Sequence, residues 1–413
     1  MKILPNKILG SQRDMLVLAG GQGMALVLNI LLNIILGKIY SAEAYGNLGV
    51  FMAIALFLGD IVNLKSDMAI MISEDREDSL QILLQSLVIG FFVSLIFFFG
   101  LWIVNHYYPV PTLFVFLYCM FTAVLQPFSI WLNKSSHNTA MNIVRWLQVI
   151  ISGTIPMIIQ VWVPTYGLVW GMLVSVIIAS IMAFALSDIR KKELVKAFQR
   201  LSLRNLSGIK QFLTFGTVSS LCNTFSRSVP YFFIDQYFGK YYVGQFTFAN
   251  KLLNAPLSVF TTAMSQYYYR TGSRVPDAEL YIITKRNIRV STGIIVVPAL
   301  LVFIGGEEMI SQIFGQQWLI AGSILKYLMW WQFFAFIANP ITMYFDIKRI
   351  LHKEFIANTM ILIVRLVLTY YCVLHYDFYT TVGVFCFSGA IMNLFLLIYI
   401  YYLSKTYKKD VYV

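Results

Sequence analysis

The stretch "IDQYFGKYYVGQFTFANKLLNAPLS", residues 234–258, runs from one helix end through an aromatic-rich turn into a long apolar segment. That segment contains Lys251, with Asn250 beside it and Asn254 one turn on. A lysine at the centre of a spanning helix costs about 2.5–3.5 kcal/mol on insertion scales. Composition decides that the surroundings are nevertheless lipid. Of the 413 residues, 59% are hydrophobic and only 12% are charged, against roughly 25% charged in a soluble domain. A packed soluble core of this length does not hide so much apolar surface.

A span needs about 20 predominantly apolar residues. Twelve such runs are expected, centred near Asn29, Ala55, Ser94, Met120, Ser152, Val176, Asn223, Leu253, Ile295, Leu328, Ile363 and Asn393. The first follows Lys2, Lys7 and Arg13. At residues 15–36 it is too long for a signal-peptide core and lacks an A-x-A cleavage pattern, so it reads as a retained span.

The distribution of positive charge fixes an orientation. With both termini cytoplasmic, 25 of the 31 lysines and arginines fall in cytoplasmic ends and loops. Only Lys38 and Lys240 fall outside, and Arg227, Lys251, Lys326 and Arg365 lie within spans. This asymmetry is the positive-inside pattern, and it favours an even number of spans. The net charge of +12 is thereby a topology signal, and a nucleic-acid partner is not needed to explain it.

The outer loops are short, "NHYYPVP" (105–111) and "VPTYG" (163–167) among them, and leave no room for a large extracytoplasmic enzyme site. The longest connection, Ser187–Lys210, is basic and cytoplasmic. It divides the chain into a first six-helix lobe (1–187), a linker (188–210) and a second six-helix lobe (211–413). The four cysteines lie in apolar runs without a C-x-x-C pair, and the four histidines are scattered, so no metal site is expected. There is no G-x-x-x-x-G-K-[ST] motif for ATP.

An internal repeat links the halves. "ILGKIYSAEAYGNLGVFMAIA" (35–55) and "IDQYFGKYYVGQFTFANKLL" (234–253) align at an offset of 198, which places Gly46 on Gly244, Asn47 on Gln245 and Asn29 on Arg227. Parallel repeats of this kind are a transporter pattern, with the substrate path between the halves.

The polar residues inside spans form stripes. Thr247, Lys251, Asn254, Ser258, Thr261 and Ser265 are spaced by three and four, one face of a helix over about five turns. Such a face meets protein or a water-filled cavity rather than lipid. The seventh span adds Ser220, Asn223 and Arg227; the first, Gln22, Asn29 and Asn33; the fifth, Arg145, Gln148 and Ser152; the eleventh, Asn358 and Arg365. The uncharged members also suit ordinary interhelical hydrogen bonds, and Arg145 lies close enough to a helix end to snorkel. Arg227, Lys251 and Arg365 lie deeper and have no comparable set of buried acids to pair with. Cations without partner acids point to an anionic guest, phosphate first. Six prolines, at 127, 156, 230, 256, 298 and 340, lie in or at the edges of spans and favour kinks.

Five segments in order, "GKIYSAEAYGNLGVF", "LKSDMAIMISEDREDSLQIL", "TYGLVWGMLVS", "VPYFFIDQYFGKYYVGQFTFANKLLNAPLSVFTTAMSQYYYR" and "WLIAGSILKYLMWWQFFAFIANPITMYFD", span residues 37–346. Together they resemble the polysaccharide and O-antigen flippases of the multidrug/oligosaccharidyl-lipid/polysaccharide exporter (MOP) superfamily. Two departures stand out: Lys65, Ser66 and Asp67 replace that family's R-Y-E, and Lys38 replaces the first loop's arginine. The resemblance implies an all-α membrane fold of twelve helices in two lobes around a central cationic cavity. It implies a bacterial inner-membrane flippase for a polyisoprenyl-diphosphate oligosaccharide, not an enzyme, working by alternating access for O-antigen or capsule synthesis. Polymerase and chain-length proteins are then its expected partners, and no cofactor is expected.

On this reading Arg227, Lys251 and Arg365 hold the diphosphate, with Arg145 nearer the cytoplasmic entrance. Asn29, Asn33, Asn223, Asn250, Asn254 and Ser258 line the cavity, and Tyr231 and Tyr268 offer rings for sugars to stack on. Two rivals are a multidrug/cation antiporter of the same superfamily, which favours buried acids, and a membrane polymerase or ligase, which needs a larger outer loop.

Overall fold

The computed structural model describes residues 4–73, 75–104, 111–135, 137–190, 193, 196, 198–199, 217–273, 275–348 and 350–409. Among the described residues there are twelve long helices and no strand. They are α1 (Leu4–Ile39), α2 (Ala42–Ile61), α3 (Arg76–Val104), α4 (Thr112–Lys134), α5 (Asn138–Ile159), α6 (Gly167–Ala185), α7 (Thr217–Phe238), α8 (Lys240–Gly272), α9 (Asp277–Phe314), α10 (Leu319–Ile347), α11 (Leu351–His375) and α12 (Phe378–Lys409).

Ten of them are long and apolar enough to cross a membrane, which makes this a multi-pass membrane protein. The other two are α7 and α8, with 22 and 33 residues. Their length suffices for a span. They fall short in apolarity because they carry the polar stripes, Ser220 to Ser228 on α7 and Thr247 to Ser265 on α8. Gly239 separates the two with φ 91, a left-handed turn that a side chain would resist.

The helices group into two compact units, residues 1–36 with 51–224 and residues 37–50 with 225–413. The first unit therefore reaches into the start of α7, and the second takes in the α1–α2 corner. Most of the basic 188–210 segment, expected as a linker, lies outside the described residues. Two that are described tie it to the first unit, where Arg76 meets Glu193 at 3.4 Å and Lys196 meets Glu77 at 2.7 Å.

In the first unit, Ile70, Leu83, Phe128, Trp131, Leu132, Val144, Ala179 and Ala183 form one buried cluster. Lys134 closes α4 and anchors the single turn Ala69–Ile72: its ammonium donates to Ile70 O, Ser73 Oγ and Ser79 Oγ at 2.6–2.7 Å. Trp131 Nε1 donates to Ser187 O at 3.0 Å and fixes the end of the helix hairpin.

In the second unit, Tyr268, Leu280, Ile341, Tyr344, Phe345, Leu396 and Ile400 form the corresponding core. The α1–α2 corner is docked by aromatics. Trp318 Nε1 donates to Gly37 O at 2.7 Å. The Trp318 ring stacks on Phe248 at 3.9 Å, and Tyr45 meets both edge-on.

Candidate functional site

In the second unit the structure builds the predicted α8 stripe from both sides. Thr247 is 2% exposed; its hydroxyl bonds Val243 O at 2.7 Å and packs on Gly49. One turn on, a rail of side chains crosses three helices. Gln332 of α10 donates to Asn254 Oδ1 at 2.9 Å, Asn254 donates to Asn250 Oδ1, and Asn250 donates to the Tyr231 hydroxyl of α7 at 2.7 Å. Asn250 and Asn254 are thus interhelical connectors here, rather than an open lining. Ser258 is exposed, and its hydroxyl bonds Ala255 O at 3.0 Å.

Lys251 sits between the two asparagines in sequence and is half-buried. Among the described residues no hydrogen bond or ion pair engages its ammonium. The amides around it are satisfied by one another, and the cation is left over. Such a group favours an anion brought from outside.

The remaining predicted cations lie in different settings. Arg227 is exposed on α7. Arg365 departs from the expectation of a cavity-lining ligand. It is 2% exposed, packed against the rings of Trp331 and Phe385, with Nη1 reaching Ser226 Oγ at 3.4 Å. Burial under rings keeps it from a bulky guest in this conformation. Lys326 pairs with Glu307 at 3.2 Å, an ordinary half-exposed ion pair near the start of α10.

The expected sugar platforms also differ. Tyr231 is 9% exposed and meets Phe246 edge-on. Tyr268 is fully buried and shares a 2.7 Å hydrogen bond with Thr284. Both rings are packing and hydrogen-bonding elements of the unit.

In the first unit, Arg145 is half-buried, and its Nη1 is enclosed without a partner among the described residues. Asn33 is 6% exposed and donates to Asn29 O at 2.8 Å, so these two stabilise α1 locally. Asn223 is exposed.

The same unit holds a constellation that sequence reasoning did not assemble. The Asp60 carboxylate accepts from Lys65 Nζ at 2.7 Å, from Thr224 Oγ1 at 3.1 Å, and from Ser220 Oγ. Lys65 follows Leu64 in a left-handed corner, with φ 56 and φ 48. Asn63 pins that corner by donating to Gln126 Oε1 at 3.2 Å, and Gln126 Nε2 donates to Gly59 O at 3.0 Å. The available signal was the four-residue spacing of Ser220 and Thr224, which puts both hydroxyls on one face of α7.

Among the described residues no cluster of His, Cys, Asp or Glu is arranged to hold a metal ion. The groups without acid partners are cationic, which suits an anion.

A family model described as polysaccharide biosynthesis protein matches residues 35–322. The chain belongs to this family. No curated protein sequence matches it. For this member of the polysaccharide biosynthesis family, similar solved structures are MOP-superfamily transporters. A lipid II flippase, MurJ, in an inward closed conformation superposes with a TM-score of 0.70 at 14% identity, covering 93% of this chain and 87% of that one. An inward-facing multidrug resistance MATE transporter gives 0.66 at 13% identity, over 93% and 96% of the two chains. A MOP transporter from Pyrococcus furiosus gives 0.65 at 13% identity, over 96% and 94%. The fold of this polysaccharide biosynthesis family member is thus the MOP fold.

Proposed function

We propose that the chain is a flippase. It carries a polyisoprenyl-diphosphate-linked oligosaccharide from the cytoplasmic to the outer leaflet of a bacterial inner membrane by alternating access, in the assembly of O-antigen, capsule or a related surface glycan. The observation that carries this reading is Lys251, a half-buried cation without a hydrogen-bond or ion-pair partner among the described residues. Family membership supports a role in polysaccharide synthesis. The MOP fold supports transport over catalysis.

The polarity of the binding groups supports a lipid diphosphate over a cationic drug. For the Pyrococcus furiosus relative, a reversed pocket polarity was taken to suggest a different function within the superfamily. The same argument applies here: Asp60, the acid that faces α7, is committed to Lys65 and two hydroxyls, whereas the Lys251 cation is left without a partner among the described residues. Lys251 and Arg227 are the proposed headgroup contacts, with Arg145 at the cytoplasmic entrance. Arg365 takes a different part, argued below.

The test is a deletion strain. Loss of surface glycan, with lipid-linked repeat units retained on the cytoplasmic side, is the expected result. Normal surface glycan in that strain overturns the reading.

A further inference from the structure

Four helices of the second unit converge on one guanidinium. Arg365 of α11 is 2% exposed. Trp331 of α10 lies 4.1 Å from its Cζ and Phe385 of α12 lies 4.2 Å away, the two rings at 84° to each other. Ser226 of α7 accepts from Nη1 at 3.4 Å. The other donors, Nε and Nη2, are buried and have no partner among the described residues.

Those two orphans are not independent. In a planar guanidinium, the Nε–H and one N–H of Nη2 point in parallel from one edge, the fork that grips an anion side-on. No carboxylate among the described residues pairs with Arg365. Arg227 adds further positive potential at the site. Ring faces stabilise a cation without neutralising it, so the charge stays uncompensated and the fork unfilled.

The backbone makes room for this arrangement. A Cβ on Gly389 of α12 would stand 2.1 Å from Nη2 and 2.9 Å from Cζ. Glycine at 389 thus lets the α12 backbone approach the guanidinium directly, and any side chain at 389 would displace it.

We propose that the side edge of Arg365 binds a small inorganic anion of halide size, inside the second unit and apart from Lys251. Burial selects the size. A diphosphate carrying sugars and a lipid does not reach a group that is 2% exposed. A monatomic anion needs only two parallel N–H donors and tolerates apolar walls. The anion neutralises the point where α7, α10, α11 and α12 meet and so stabilises that junction.

The site stands whether or not the flippase reading holds, and its test is separate. The purified full chain in detergent is titrated with sodium bromide against sodium gluconate at fixed ionic strength, following the thermal midpoint. Saturable stabilisation is expected in the wild type and in Lys251→Ala, and its loss in Arg365→Gln and Gly389→Ala. Equal midpoints in bromide and gluconate, or a bromide shift that survives Arg365→Gln, overturn the proposal. Should the variants fail to fold, crystals of the wild type grown in bromide decide it. An anomalous peak against Nε and Nη2 of Arg365 supports the site, and bromide bound only at Lys251 or not at all refutes it.

Discussion

Gly244 packs so closely on Ala42 that a Cβ there would stand 1.7 Å from the Ala42 carbonyl oxygen. The repeat offset turns this contact into its mirror: Gly46 packs on Lys240, where a Cβ would stand 2.1 Å from the carbonyl oxygen. Between them Gly49 meets its own repeat mate, Thr247. The starts of α2 and α8 are therefore related by a local two-fold, and the aligned glycines exist because two helix backbones touch there.

That contact predicts a size swap. A Cβ on Gly49 would lie 2.0 Å from Thr247 Oγ1 and 3.2 Å from Thr247 Cβ. Gly49→Ala should lower stability by about 1–3 kcal/mol, the usual cost of overpacking. Adding Thr247→Ala should restore most of it, since the clashing hydroxyl is gone. Thermal unfolding of the single and double variants checks this, and additive losses would contradict it.

Much of this was legible in the sequence, and the reasons differ by residue. The apolar runs mark ten helices as spans because hydropathy is a property of the run itself. On α7 and α8 the polar faces dilute that signal while helical spacing preserves it, so the stripe through Lys251 was visible before any contact was known. What spacing does not convey is the partner. Asn250 and Asn254 could face a cavity or another amide, and only packing placed Tyr231 and Gln332 against them. Arg365 was legible as a buried cation, yet the rings of Trp331 and Phe385 come from other helices. Asp60 reads from the sequence only as an acid close to an inner helix end, because its partners Ser220 and Thr224 lie about 160 residues away.

The Asp60–Lys65 pair predicts measurable coupling. The two side chains are 32% and 18% exposed, which places the pair between the surface and buried regimes. A double-mutant cycle with Asp60→Asn and Lys65→Met should give a coupling of about 1 kcal/mol or more. Ser220 and Thr224 donate to the same carboxylate and hold it in place, so Ser220→Ala should weaken the same coupling. A value indistinguishable from zero would mean that the corner is held by Asn63 and Gln126 alone.

Asp67 predicts a pH dependence. It is 3% exposed, its Oδ1 has no partner among the described residues, and burial raises its carboxyl above the ordinary range despite the opposing charge of Lys65. The folded chain then holds this proton more tightly than the unfolded chain, whose reference is about 3.9. The sign follows: the group's favourable contribution is complete below the unfolded value and is lost as pH rises through the folded one. Asp67→Asn should therefore raise the thermal midpoint where Asp67 is ionised and flatten the fall that begins as pH rises above the unfolded value of about 3.9. Parallel pH profiles for variant and wild type would show that Asp67 titrates normally.

Lys251 gives the sharpest residue-level prediction. A charge-assisted hydrogen bond to phosphate contributes about 1.5–3 kcal/mol, equivalent to roughly ten- to hundredfold in affinity. Lys251→Ala should reduce glycan export on that scale while leaving membrane insertion and the thermal midpoint near wild type, because no group among the described residues loses a partner. Lys251→Arg should keep much of the export, since charge is retained, and Lys251→Glu should abolish it through repulsion of the headgroup. Export is read from surface glycan in a complemented deletion strain, with protein levels matched. Full export in the alanine and glutamate variants would reduce Lys251 to a tolerated charge and shift the headgroup site toward Arg227 and Arg145.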